Sequence, residues 1–139
     1  MVHFADLDTA TQIAVGPHVR AIGWLSAGHA YTKGAAPESF VARLRTLCAS
    51  WSDSVRALRW PVACGFHTCE FCEEFHASGN IGIPGDGVLF VAPEMVAHYV
   101  EKHDYLPPQQ FIRAVLMTPA PGTVEYDEAV RPFVESEAG

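Results

Sequence analysis

The clearest helical period in the chain lies between residues 37 and 51. Pro37-Glu38 opens it, and Phe40, Val41, Leu44, Leu47, Cys48 and Trp51 recur at helical spacing while Arg43 and Arg45 fall off the stripe. Ahead of this helix, residues 1–18 carry no clean period. The short apolar run Val19 to Leu25, followed by Gly28 and Gly34, reads as a strand running into a loop. A helix with one apolar face needs a sheet or hairpin to lie against, and Leu58 to Phe66 could supply one strand of it.

The middle of the chain reads as a cysteine-rich turn from Cys64 to Cys72, a hairpin, and a helix. Asn80 to Ile83 and Val88 to Ala92 are strand-like, and Pro84-Gly85-Asp86-Gly87 between them is turn chemistry. Pro93-Glu94 suits a first helical turn, the helix runs to about His103, and Val96, Tyr99 and Val100 form its buried stripe. Tyr105-Leu106-Pro107-Pro108 stops it and starts a short helix carrying Phe111, Ile112, Val115 and Leu116. Beyond Thr118 the pattern decays, and prolines, Gly122 and acidic residues over 119–139 read as a surface-wrapping or mobile tail. The expectation is one α+β domain over 1–139, with a small mixed sheet or hairpins and about three helices.

Composition narrows the function classes. In 139 residues, 49% are hydrophobic, enough to bury a core, and 9 Lys+Arg against 16 Asp+Glu leave a net charge of −7. Such a balance, with only two lysines, disfavours nucleic acid as a partner. No apolar run is long enough to span a bilayer, and Met1 to Thr11 lacks the form of a secretory leader, so the expected location is the cytoplasm and no membrane partner is expected. No G-x-S-x-G elbow, phosphate-binding loop or G-x-G-x-x-G fingerprint occurs, and the H-x-E with P-C-x-x-C of zinc deaminases is missing too.

What the chain does contain is a cluster of metal-ligand residue types. Cys64, Cys69 and Cys72 lie within nine residues, alongside His67 and His76. Cys69 and Cys72 form C-x2-C, and after 25 residues His98 and His103 form H-x4-H. A thiolate pair two residues apart places both sulfurs on one side of a tight turn, and a following helix can present two imidazoles to the same point. The result is a tetrahedral set of two sulfurs and two nitrogens suited to Zn2+.

The helical step strains this set in one place. At about 100° per residue, positions five apart differ by about 140°, so His98 and His103 share a metal only if the last turn is tightened or frayed. Glu94 is the rival, four residues before His98 and on its face. Cys64 or His67 could replace one ligand, and a local set of His67, Cys69, Cys72 and His76 is the remaining possibility. A Cys64 to Cys72 disulfide would need no metal, but cytosolic thiols stay reduced. Cys48, on the helix stripe, reads as a small buried hydrophobe, and Trp24, Trp51 and Trp60 as core aromatics. His3, His18 and His29 stand isolated, and Glu70, Glu73, Glu74 and Glu101 read as an acidic rim from which one carboxylate could orient a ligand histidine.

Gly65-Phe66-His67-Thr68-Cys69-Glu70-Phe71-Cys72, Pro84-Gly85-Asp86-Gly87 and Ala92-Pro93-Glu94-Met95-Val96-Ala97-His98-Tyr99-Val100-Glu101-Lys102-His103 together resemble a treble-clef zinc module over about residues 62–105. The histidines stand where the helix of that module often supplies cysteines. More loosely, the order of motifs from Ile22-Gly23-Trp24-Leu25 to Pro107-Pro108-Gln109-Gln110-Phe111 is similar to small uncharacterised bacterial proteins, a resemblance that implies no activity. The expected function is a zinc-binding module in which the metal is structural and the partner is another protein. A hydrolase-type metalloenzyme with three ligands and a water, or a C-x2-C redox protein, are the alternatives.

Overall fold

The computed structural model describes residues 3–10, 16–58, 67–74, 76–77, 80–120 and 122–138. At its centre runs β5 (Leu89–Pro93), buried at all five positions. The run Leu-Phe-Val-Ala-Pro has no polar side chain to turn toward water, so it can be covered on both faces. On one side β4 (Asn80–Pro84) pairs with it antiparallel, from Asn80 opposite Pro93 to Pro84 opposite Leu89. On the other side β1 (Val19–Ala21) pairs with it parallel, giving the order β1-β5-β4. Hairpin β4-β5 turns through the expected Pro84-Gly85-Asp86-Gly87, with Gly87 at φ +73°.

The run from Val19 to Leu25 keeps only three residues in the ladder, because Gly23 adopts φ +72° and turns the chain away. The apolar residues beyond the strand still pack on it. Ile22 donates its N–H to the Val91 carbonyl at 3.0 Å, and the Trp24 indole donates to the same oxygen at 2.9 Å. Both side chains are fully buried.

Helix α1 (Glu38–Leu58) buries Phe40, Leu44, Leu47 and Cys48 of the expected stripe, while Val41 is only partly buried and the Trp51 side chain lies outside the described ones. The strand expected over Leu58 to Phe66 is not found at its first residue, which ends α1, and the rest lies outside the described residues. A two-stranded antiparallel ladder follows, β2 (His67–Thr68) with β3 (His76–Ala77). Helix α2 (Val96–Lys102) buries Val96, Tyr99 and Val100 as expected, but it does not start at Pro93-Glu94: Pro93 still pairs with Asn80 as the last residue of β5, and Met95 is the N-cap. Helix α3 (Gln109–Met117) starts behind Pro108 and sets Phe111 edge-on to Phe40 of α1 and Phe90 of β5, with ring centroids 6.1 and 5.8 Å apart. Leu116, expected on that stripe, is 45% exposed, since Phe111, Ile112 and Val115 already define the buried face.

The expected tail is instead largely helical. Helix α4 (Val124–Ala138) begins where the Tyr126 N–H donates to the Thr123 hydroxyl, and it buries Tyr126 and Val130, one turn apart, with Tyr126 donating its hydroxyl to the Gly82 carbonyl of β4. The architecture is α+β, with four helices and a mixed three-stranded sheet among the described residues. None of the described helices is long and apolar enough to cross a membrane.

Candidate metal centre

Residues 69–72 form a tight knuckle just after β2. The Glu73 N–H donates to the Cys69 carbonyl at 2.8 Å, and Glu73 sits in the left-handed region at φ +60°, reversing the chain. Backbone N–H groups of Phe71 and Cys72 point at the Cys69 sulfur, so part of its negative charge as a thiolate would be met by the turn itself. Cys69 is fully buried and Cys72 half-buried, and both are free thiols, so no Cys64 to Cys72 disulfide is formed.

The opposing donors come from α2, whose rotation is fixed by burial of Val96, Tyr99 and Val100. That rotation leaves His98 on the face toward the knuckle. His103 is the cap residue, at φ −125° and ψ 17°, so the helix has unwound where a regular turn would have carried the imidazole about 140° from His98. The N–H groups of His103 and Tyr105 both reach the Tyr99 carbonyl, at 3.0 and 3.2 Å, with Asp104 between them at φ +55°. The frayed end is then clamped by a distant segment. Tyr31 donates its hydroxyl to the His103 carbonyl at 2.8 Å, Gly34 donates to the Asp104 carbonyl at 2.9 Å, and Leu106 donates to the Thr32 carbonyl at 2.9 Å.

Four donor atoms converge as a result. Cys69 Sγ lies 3.3 Å from His103 Nε2, Cys72 Sγ lies 3.4 Å from His98 Nε2, and the two Nε2 atoms are 3.2 Å apart. All four lie within 4.8 Å of one another. For a tetrahedron with zinc's usual bond lengths, the sulfur to nitrogen edge is about 3.6 Å and the nitrogen to nitrogen edge about 3.3 Å. The observed spacings match those edges to a few tenths of an ångström, so the residues fit one metal ion.

The surroundings are aromatic and apolar. Phe71 packs edge-on against Tyr99 and Tyr31, with centroids 5.8 and 5.4 Å apart, and lies 5.3 Å from the His103 ring. Burial pushes the Cys69 thiol up and, with a smaller contribution from His103, pulls the His98 imidazole down. A neutral His98 is the form that coordinates a metal, whereas each thiol must give up its proton on binding.

Residues 2–116 match a family model described as Domain of unknown function (DUF7919). The chain belongs to this family. No curated protein and no solved structure matches it. The matched DUF7919 span contains all four converging residues and the Tyr31 clamp, and it ends within α3, before α4.

The other expected ligands stand differently within the DUF7919 domain. Glu94 is outside the four-donor group: α2 begins only at Val96, so Glu94 lies in the turn before the helix and does not share the face of His98 that the spacing suggested. Burial, above all, and the charge of Glu94 push the Cys48 thiol up to about 12. Cys64 lies outside the described residues, and His67 and His76 are placed by their backbones in the β2-β3 ladder. Cys48 is buried as expected, whereas His3 and His29, isolated in sequence, stack at 4.0 Å. From the acidic rim, Glu70 accepts the Ala27 N–H at 3.1 Å and Glu101 pairs with Arg45. Tyr31 was invisible to sequence reasoning, since nothing local signals a bond to a carbonyl 72 positions away.

Proposed function

We propose that Cys69, Cys72, His98 and His103 hold one Zn2+ in a closed tetrahedral site that joins the knuckle to the end of α2. On this reading the DUF7919 domain is a structural zinc module that acts through contacts with a protein partner. The observation that carries the metal is the convergence of two sulfurs and two Nε2 atoms with edges of 3.2 to 3.4 Å. Two thiols and two imidazoles favour zinc over harder cations, which prefer oxygen donors. A four-donor set supports a structural role, because a hydrolytic zinc keeps a position open for water. The order of knuckle, hairpin and helix supports the treble-clef reading, and the net charge of −7 favours a partner surface carrying basic groups.

The test is cobalt substitution of metal-stripped protein. Stoichiometric Co2+ should give the intense visible bands of tetrahedral coordination together with a thiolate charge-transfer band. Cys72→Ser should weaken the charge-transfer band, and Zn2+ should displace the colour. Weak octahedral bands, or no uptake, would rule the site out. Binding at such sites contributes about 10 kcal/mol or more, comparable with a domain's whole stability, so chelation should abolish or sharply lower the thermal transition.

A further inference from the structure

At the end of the β4-β5 hairpin away from the metal site, a cavity of about 670 Å³ opens between the hairpin turn, β1, α3 and α4. Its size falls in the range of small-molecule sites, about 300 to 1,000 Å³. Phe90, Ala114 and Met117 contribute apolar wall, and Met117 is 77% exposed at the surface. The charged residues lining it are Arg20 of β1, Arg113 of α3 and Asp86 of the turn, a local excess of one positive charge in a chain of net charge −7. Among the described residues, neither arginine is paired with a carboxylate, whereas Arg45 is paired with Glu101. Arg20 is held in place because its Nη1 donates to the Pro17 and Val19 carbonyls, each at 2.7 Å, which leaves the remaining N–H groups of the fork available.

A cavity with apolar wall and two guanidiniums without acidic partners suits a ligand that carries its own anion on an apolar body. We propose that this cavity binds an amphiphilic monocarboxylate of medium chain length, its carboxylate received by Arg20 and Arg113 and its alkyl part lying along Phe90, Ala114 and Met117. This site shares no residue with the metal centre, so either assignment can fail without the other.

The test is a titration of the 15N-labelled full chain, as purified, with sodium octanoate and, separately, with 1-octanol, followed by amide chemical shifts. Octanoate should saturate, with the shifts concentrated on residues 20, 86–90 and 113–117, and should bind at least about tenfold more tightly than the alcohol of equal length. Arg113→Gln, at an exposed position, should keep the wild-type spectrum elsewhere and weaken octanoate about tenfold while leaving octanol unchanged. Ala129→Phe, which adds bulk to the wall, should weaken both. Equal affinity for acid and alcohol, shifts that do not saturate, shifts centred elsewhere, or an Arg113→Gln protein that binds octanoate like wild type would each overturn the proposal.

Discussion

At the scale of single residues, the donor set follows from chemistry that a sequence displays openly. Cys69 and Cys72 stand two apart in a turn, and His98 stands on a helix with a readable buried stripe. For His103 the need for an unwound last turn was legible from the five-residue spacing to His98, but the Tyr31 hydroxyl that holds the unwound end was not. Tyr31→Phe should therefore cost about 1 kcal/mol in urea unfolding and speed zinc transfer to a chelator, because one part-buried bond to the His103 carbonyl is lost. Gly23 offers a second test. It sits at φ +72°, and a Cβ there would come 2.9 Å from Val96 Cγ2 of α2, the helix that carries His98. Gly23→Ala should destabilise the fold by about 2 kcal/mol, read as a lower urea midpoint with unchanged slope.

At the scale of elements, legibility tracks how many apolar residues mark each one. The stripe of α1 and the apolar runs of the β4-β5 hairpin identify themselves; the strands shift by one residue at an end, whereas α1 runs seven residues past Trp51, the last apolar position of its readable stripe, to Leu58. Helix α4 does not, because among its described side chains only Tyr126 and Val130 are buried, set between acidic residues and an internal Pro132. Its formation depends on Tyr126 reaching Gly82 of β4, a contact that no local pattern encodes. Tyr126→Ala should accordingly cost about 3 to 5 kcal/mol, while Leu116→Ala, at the residue expected in the core but exposed, should stay within about 0.5 kcal/mol of wild type. Equal effects in thermal melts of the two variants would contradict the assignment of α4 to the core.

At the scale of the whole molecule, one hydrophobic cluster runs from β1 and the hairpin through α1, α2 and α3 to α4, while the knuckle joins it through Cys69 and the packing of Phe71. The cluster's parts are held by burial, about 25 cal/mol per Å² of apolar surface, but a short turn such as 69–72 has little of that to offer. On the proposed reading a metal makes up the difference, tying this short segment to the end of α2 through Cys69, Cys72, His98 and His103. This account rests on one stoichiometry. Elemental analysis of the tag-free protein should find about one zinc per chain, and the same measurement on Cys69→Ser should find the zinc lost or far below one. A wild-type protein without zinc, or a Cys69→Ser variant that keeps a full equivalent, would contradict it.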